Sequence, residues 1–445
     1  MDQYSIVKRL CENGHKAFIV GGCVRDIFLD EESEDIDIAT SAIPTEIERI
    51  FSDRKIKTVG KVFGVVLVDN FEVATFRNDQ FYNIGDKNCN VTFTDTIEDD
   101  LARRDLTINS MALCELTGEL VDPYNGQIDI KNRIIRFVGD PIERIMEDPN
   151  RIIRACRFLA KIEGKFEYNT LQILKENSFL INDHVSPERI HKEILKAMEL
   201  NKPSLFFSAL HVIGALRYIF PEMDNCINHP HGRFHKETIW EHIMLVGDSL
   251  PKKKSNLRLA GYLHDIGKPS TYLKNNDGSF INHENEGAEI VYNDLKRLKF
   301  SNDEIENITN LIKAHMFNCK DLTSKASRKL QKRINDLNIN PKDWARLKIA
   351  DRYSNMAKSK FEKDDIRNLI LHLGIRRKEE ECPFTVKDLL VSGQDIINLT
   401  KLSPGPTIGK IQKYLLEKVI ENGPEANTHS SIIYNIQLYM EKNNV

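Results

Sequence analysis

A pair of glycines between an apolar strand and a helical segment is the feature that most constrains this chain. Residues 17–20 form a short apolar run that predicts a buried strand, and the run stops at Gly21 and Gly22. Residues 24–29 then resume with helical periodicity. Glycines let a backbone approach a polyphosphate closely, and the unpaired N–H groups at a helix start point toward an anion. The pattern predicts a phosphate-binding turn, to which Arg25 adds a charged donor.

Two aspartates follow this turn on a second short strand. Polar and apolar residues alternate over residues 34–39, which places Asp35 and Asp37 on one side with their Cβ atoms roughly 7 Å apart. Mg²⁺ takes one or two protein carboxylates and completes its coordination with water and substrate phosphates. The alternative is a solvent-facing edge strand, the commoner role of an isolated Asp-x-Asp. Glu72, on the alternating segment of residues 71–77, is a candidate third carboxylate or an ordinary half-exposed glutamate.

Three further segments follow in order, at residues 103–112, 122–130 and 147–158. With the glycine turn and the aspartate strand, they resemble the motifs of bacterial-type (class II) tRNA nucleotidyltransferases, the CCA-adding enzymes, and bacterial poly(A) polymerases. The resemblance implies a ribose-reading motif, a hinge and a base-reading helix. Arg104 is then a phosphate or ribose contact; the alternative for it is an ion pair with Asp105.

Charged residues recur every three positions from Asp148 to Arg157, with apolar residues on the opposite side of the predicted helix. A solvated face is one explanation, and planar, bidentate recognition by arginines is the other. The resemblance implies that Asp148 and Arg151 read the base, because cytosine and adenine each carry an amino group beside a ring acceptor. Uracil and guanine present the opposite polarity and leave buried groups unpaired. The predicted nucleotide-binding residues are Gly22, Arg25, Arg104, Asp148, Arg151, Arg154 and Arg157.

A second constellation lies in the middle of the chain. His264 and Asp265 follow an apolar helical segment and precede Ile266-Gly267-Lys268, with other histidines at wide intervals. This resembles the HD phosphohydrolase superfamily, whose ligands come from separate helices and bind one or two transition metals. A structural metal, or hydrogen-bonded histidines without metal, are the alternatives. The implied ligands are His242, His264, Asp265 and Asp351 for a first metal, and His283 and His315 for a second.

The strand signals concentrate near the N-terminus, and helical periodicity dominates beyond residue 146. We therefore predict an α+β chain: a nucleotidyltransferase head with a small mixed sheet, followed by an all-helical neck, body and tail. The predicted domains are a catalytic head at 1–145, a neck and body with the base-reading helix at 146–230, an HD-like unit at 231–360, and a tRNA-binding helical tail at 375–445.

Eight cysteines without Cys-x-x-Cys spacing favour reduced thiols, and no apolar run suits a signal peptide or a membrane span. A soluble, cytoplasmic protein is expected. The modest net charge of −3 is compatible with a partner that is bound briefly and released. No obligatory protein partner is evident from the sequence.

The resemblance implies an enzyme that adds C, C and A to the 3′ end of the tRNA acceptor arm from CTP and ATP, releasing pyrophosphate, with Mg²⁺ in the head. Accessory hydrolysis by the HD-like unit, with a transition metal, is a further expectation. Residues 84–88 lack the Asp-Gly-Arg-His-Pro stretch usual in the family's flexible loop, so an adenine-only enzyme or a poly(A) polymerase is the first alternative. A phosphohydrolase with an RNA-binding head is the second.

Overall fold

The computed structural model describes residues 2–33, 35–58, 64–80, 84, 90–232, 235–275, 279–319, 322–360, 362–374 and 383–443. These form two compact units. The first comprises Met1–Asp224 with Arg297–Lys299, and the second comprises Asn225–Lys296 with Phe300–Val445. Most of the loop predicted between residues 78 and 90 lies outside the described residues.

The first unit is built on a mixed seven-stranded sheet with the order β3-β4-β5-β2-β1-β8-β9. Its central pair, β2 and β5, is parallel, and the other pairs are antiparallel. Two smaller two-stranded sheets join β6 with β7 and β10 with β11. The strands are β1 Ala17–Val20, β2 Asp37–Thr40, β3 Ile56–Thr58, β4 Val65–Val68, β5 Phe71–Thr75, β6 Arg77–Gln80, β7 Asn90–Phe93, β8 Ala112–Leu113, β9 Leu120–Val121, β10 Ile134–Ile135 and β11 Lys165–Phe166.

Helices cover the sheet and continue beyond it. One apolar core of this unit packs Phe18 and Val20 of β1 against Phe76, which lies between β5 and β6, and against Leu101. The helices of the unit are α1 Gln3–Glu12, α2 Gly22–Phe28, α3 Pro44–Ile50, α4 Ile97–Ala102, α5 Gly126–Asn132, α6 Pro141–Glu147, α7 Asn150–Lys161, α8 Tyr168–Asn177, α9 Leu180–His184, α10 Pro187–Met198, α11 Ser204–Val212, α12 Leu216–Ile219 and α13 Pro221–Asn225.

The predicted α+β architecture is confirmed, with local corrections. The aspartate strand begins at Asp37, so Asp35 precedes it. The base-reading helix begins at Asn150, because Asp148 ends α6 and its Oδ1 accepts a hydrogen bond from the Asn150 amide at 3.1 Å. The neck is not purely helical, since β11 pairs in parallel with β10.

The second unit is helical throughout its described part. Its first helix begins with a capping box in which Thr238 and Glu241 satisfy each other's backbone amides. Trp344 is fully buried and donates its indole N–H to the Ala314 carbonyl at 2.9 Å. The helices are α14 Ile239–Ser249, α15 Ser255–Leu263, α16 Lys268–Lys274, α17 His283–Arg297, α18 Asn302–Ala314, α19 Ser324–Asp336, α20 Pro341–Ser354, α21 Lys363–His372, α22 Gly393–Thr400, α23 Pro406–Asn422 and α24 His429–Asn443.

The last three helices have an apolar core of their own, around Ile396, Ile411, Leu415 and Ile432. Of the predicted tail, residues 375–382, 444 and 445 lie outside the described residues, and the described part consists of helices and their connecting loops. None of the described helices combines the length and the apolarity that crossing a bilayer demands.

Candidate active site and metal centre

The first unit contains a cavity of about 540 Å³ that gathers the predicted head residues. Its lining combines the glycine turn, two carboxylates and a wall of cations. The lining residues are Gly21, Gly22, Arg25, Asp26, Ser33, Asp35, Asp37, Arg103, Arg104, Asp105, Asn109, Asp148, Arg151, Arg154, Arg157, Phe158 and Lys196.

Three carboxylates meet at one side of this cavity. Asp35 and Asp37 both line it, and β2 pairs with β5 so that Asp37 stands directly opposite Glu72. Glu72 lines an adjoining cavity of about 240 Å³, which Asp37 shares. Partial burial and the neighbouring carboxylates raise the pKa of Glu72, and partial burial raises that of Asp37, while Arg104 opposes the shift at Asp37. Carboxylates crowded in this way are a suitable donor set for a hard divalent cation.

At the glycine turn, the guanidinium of Arg104 lies against the backbone of Gly21. Gly21 has φ +76°, and its amide donates to the Met111 carbonyl at 3.1 Å. A Cβ at this position would lie 2.7 Å from an Nη atom of Arg104. Arg104 itself pairs with Asp100 at 3.0 Å, so the alternative of an ion pair with Asp105 is wrong. The backbone conformation therefore favours glycine at 21, and a side chain there would displace the neighbouring guanidinium.

Arg25 is buried beneath the cavity and is held by protein groups. Its guanidinium donates to Asp26 at 2.8 and 3.0 Å and to the side-chain oxygen of Asn109 at 2.6 Å. It also lies 4.9 Å from the centre of the Phe158 ring. Arg25 lines the cavity as predicted, in a fixed orientation.

The two predicted base-reading residues line the cavity and are held by different partners. Asp148 receives two hydrogen bonds from Arg189, at 2.8 and 2.6 Å. Arg151 pairs with Glu147 at 2.5 Å and donates to the Arg103 carbonyl at 3.0 Å. Asp148 and Arg151 therefore do not bind each other, and a neighbouring side chain orients each of them.

The remaining arginines of α7 form ion pairs with buried carboxylates, and Arg154 itself is partly exposed. Arg154 binds Asp105 at 2.6 Å, and Arg157 binds Glu193 at 2.5 Å. Burial alone would raise the pKa of Asp105, yet Arg154 and the hydrogen bond from Asn109 hold it well below its usual value. Burial lowers the pKa of Arg157 despite Glu193. The charged stripe is therefore not a solvated face, because its members are tied down inside the unit.

The second unit brings all six predicted HD residues together. His264, His283 and His315 each direct Nδ1 to a backbone carbonyl, at 2.9, 2.7 and 2.6 Å. Their Nε2 atoms lie 3.3, 3.2 and 3.6 Å from the Asp265 carboxylate. An imidazole whose outer nitrogen is bonded to a carbonyl presents the inner one as a ligand, which is the usual arrangement at metal sites.

The remaining ligands complete this arrangement. His242 Nε2 lies 3.2 Å from Asp351 and 3.8 Å from Asp265. Within the described part of the chain, His264 Nε2 and Asp265 Oδ1 are buried without a hydrogen-bond partner. Burial opposes the ionisation of Asp265, but His264 and Lys268 hold its pKa well below the usual value. Unpartnered nitrogen and carboxylate oxygen atoms that converge in a buried cluster fit one or two divalent metal ions.

Three separate stretches of the chain match known protein families. Residues 17–136 match the family described as "Poly A polymerase head domain", residues 165–227 match "Probable RNA and SrmB- binding site of polymerase A", and residues 235–356 match "HD domain". A CCA-adding enzyme of Lactococcus lactis is 28% identical over 432 residues, which is 94% of this chain and 92% of the relative. Over nearly its whole length, the chain is therefore similar to a CCA-adding enzyme.

Other CCA-adding enzymes match over a shorter stretch. CCA-adding enzymes of Lactobacillus helveticus and of a Geobacillus species are each 40% identical, over 195 and 218 residues. These matches cover 43% and 48% of this chain but only about half of each relative, 48% and 53%.

Solved structures of CCA-adding enzymes share the fold. A Bacillus stearothermophilus CCA-adding enzyme in complex with CTP has a TM-score of 0.72 at 21% identity, covering 100% of this chain and 99% of that one. A Thermotoga maritima CCA-adding enzyme complexed with tRNA has a TM-score of 0.57 at 18% identity, covering 98% and 94%.

Sequence reasoning missed one group of residues in each unit. In the first, Arg189, Glu193 and Lys196 project from α10 toward the charges of α7. Their spacing of four and three residues, opposite the buried Ile190 and Ile194, was a detectable signal of a second charged stripe.

In the second unit, His231, His235 and Glu237 lie against the HD residues. The signal here was the density of histidines just before His242. Burial lowers the pKa of His231 to about 3 and that of His235 to about 4, so both rings are neutral near pH 7. Burial opposes the ionisation of Glu237, but the hydrogen bond with His235 lowers its pKa to about 2.

Proposed function

We propose that this chain adds C, C and A to the 3′ end of tRNA from CTP and ATP and releases pyrophosphate. The observation that carries the proposal is the cavity in which Asp35 and Asp37 face the glycine turn and the arginines of α7. It has room for a nucleotide and offers a carboxylate pair on one side and cations on the others. The relatives that match nearly the whole chain, or somewhat less than half of it, bear the name of the same activity.

The carboxylates are proposed to hold Mg²⁺, with Glu72 beside them on the next strand. When bound, the ion supplies activation of the 3′ hydroxyl and neutralises charge on the triphosphate. The glycine turn and Arg104 bind the triphosphate, because both face the cavity and Arg104 keeps donors beyond its pair with Asp100. Arg25 adds a fixed positive charge to the lining of the cavity.

Base choice is assigned to Asp148 and Arg151. A carboxylate oxygen has two lone pairs, so Asp148 can accept from the amino group of cytosine or adenine while Arg189 continues to hold it. Arg151 donates to the neighbouring ring acceptor. Because Glu147, Arg103 and Arg189 fix these side chains before a nucleotide arrives, the protein acts as a rigid template for two bases.

The HD cluster is proposed to bind transition metal ions and to hydrolyse phosphate esters at RNA ends. His242, His264, Asp265 and Asp351 form the first site, and His283 and His315 extend it. The same cluster contains Lys268, which lies 2.6 Å from Asp265 and supplies a positive charge for a phosphate. His264→Ala is expected to remove this hydrolysis and to leave nucleotide addition unchanged. The proposed compartment is the cytoplasm, consistent with the spacing of the cysteines.

An incorporation assay tests the function and separates it from its rivals. The chain is incubated with Mg²⁺, each labelled nucleoside triphosphate in turn, and tRNAs ending before the triplet, after one C or after two. We expect C on the first two ends and A only on the third. Addition of A alone indicates an adenine-only enzyme, long adenylate tails on unrelated RNA indicate a poly(A) polymerase, and no incorporation contradicts a working head.

A further inference from the structure

One carboxylate oxygen beside the HD cluster is surrounded by three imidazoles. The Oε1 atom of Glu237 lies 2.7 Å from Nδ1 of His235, 3.3 Å from Nδ1 of His242 and 4.0 Å from Nδ1 of His231. The side chains of His231, Glu237 and His242 are entirely inaccessible, and that of His235 is 11% exposed. All four ligand atoms lie within 4.8 Å of one another.

Hydrogen bonding accounts for only one of these contacts. His235 makes a hydrogen bond to Glu237. Among the residues that the structure describes, Nδ1 of His231 and Nδ1 of His242 have no hydrogen-bond partner, although both are buried. Buried polar atoms are nearly always satisfied in folded proteins, so two unpartnered nitrogens facing one carboxylate require an explanation.

The outer atoms of the same side chains are held by other groups. Glu237 Oε2 accepts from the backbone amides of Lys236 and Met356, both at 3.1 Å. His231 Nε2 lies 3.1 Å from Asp265, and His242 Nε2 lies 3.2 Å from Asp351. Partners on the far side thereby hold His231, His242 and Glu237 with their inner atoms beside one another, which is how ligands of a metal ion are oriented.

We propose that His231, His235, Glu237 and His242 bind a further divalent transition metal ion, distinct from the HD centre. Three imidazole nitrogens and one carboxylate oxygen are a donor set for Zn²⁺ in tetrahedral coordination, whereas Mg²⁺ and Ca²⁺ prefer oxygen ligands. His242 is shared: its Nδ1 faces the new site and its Nε2 faces Asp265 and Asp351, so with ions on both sides it is a bridging imidazolate whose proton is released to solvent. The ion therefore fixes the imidazole ring of His242, the first ligand of the HD centre. It also ties His231, His235 and Glu237, which precede α14, to that centre.

The number of metal ions bound per chain tests the site. The full chain is loaded with Zn²⁺, passed through gel filtration and measured by mass spectrometry of the metal content. We expect three tightly bound ions for the wild type and two for His235→Gln. His229→Gln is the matched control, because His229 lies in the same segment and directs Nδ1 to the Pro230 carbonyl instead; it should retain three. His283→Asn, a change within the HD centre, should lose one ion independently of His235→Gln, so that the double variant retains one.

A spectrum of the Co²⁺-loaded protein supplies a second readout that does not depend on counting. The wild type is expected to show the intense visible absorption of tetrahedral Co²⁺, and His235→Gln to lose that component while keeping its circular dichroism. An equal number of ions in the wild type and in a folded His235→Gln variant, with unchanged spectra, would overturn the proposal.

Discussion

Arg189 donates two hydrogen bonds, at 2.8 and 2.6 Å, to Asp148, which lines the same cavity as Asp37. If Asp148 reads the amino group of the base, Arg189 fixes the carboxylate that does so. We expect Arg189→Leu to raise the KM for CTP and to reduce discrimination against UTP by roughly ten- to a hundredfold, the effect of losing a charge-assisted hydrogen bond. Steady-state kinetics with both nucleotides measure it. Lys192→Leu, an exposed cation on the same helix, should change neither value.

Asp37→Asn separates a metal-binding role from a structural one. Mg²⁺ contributes several kcal/mol to this class of reaction, so incorporation is expected to fall by about 10³-fold or more. Because Asp37 is accessible from the cavity, the free energy of unfolding without metal should change by no more than about 0.5 kcal/mol. Added Mg²⁺ should raise the melting temperature of the wild type and of Glu32→Gln, an exposed carboxylate in the preceding loop, but not that of Asp37→Asn. Full activity in Asp37→Asn would remove this residue from the site.

Gly21→Ala and Gly14→Ala distinguish backbone strain from a clash at the nucleotide turn. Both glycines have positive φ, +76° and +87°, but a Cβ at Gly14 meets nothing within 4 Å, whereas at Gly21 it meets Arg104. Each alanine should cost about 1–3 kcal/mol of unfolding free energy. Only Gly21→Ala is expected to raise the KM for nucleotides, because only it displaces Arg104. Equal effects on KM would mean that Arg104 does not contact the triphosphate.

The buried pair of Asp105 and Arg154 predicts a dependence of stability on pH. Asp105→Asn leaves Arg154 without its carboxylate and should cost roughly 3 kcal/mol at pH 7, the low end for buried pairs, since Arg154 is partly exposed. The pKa of Asp105 is lowered in the folded state, so its contribution is present above the usual pKa of about 4 and is lost as the pH falls below it. Urea unfolding of both proteins should therefore show a difference that shrinks between about pH 5 and pH 2. A difference that stays constant over this range would contradict the assignment.

Local patterns predicted much of this molecule because each depends on a few neighbouring residues. The run before Gly21 and the alternation at Glu72 correspond to β1 and β5, and the adjacent His264 and Asp265 lie at the centre of the histidine cluster. The register that sets Asp37 opposite Glu72 was not predictable in this way, because it depends on pairing between strands distant in sequence.

The ion-pair partners of the arginines that line the cavity also could not be predicted from neighbouring residues in the sequence. The sequence places Arg104 next to Asp105, but the fold pairs Arg104 with Asp100 one helical turn away and Asp105 with Arg154. Likewise, Arg189 lies 41 residues from Asp148, and only the packing of α10 against α7 brings them together. Pairings of this kind are decided by tertiary packing, which periodicity alone does not report.

The central claim is that Asp35 and Asp37 hold one divalent ion at the side of the nucleotide cavity. A crystal structure with Mn²⁺ in place of Mg²⁺ and a non-hydrolysable CTP analogue tests it directly, because Mn²⁺ is located by its anomalous scattering. We predict an anomalous peak within about 2.5 Å of a carboxylate oxygen from each aspartate, in contact with the triphosphate. A triphosphate bound in the cavity with no Mn²⁺ peak between these two aspartates would contradict it.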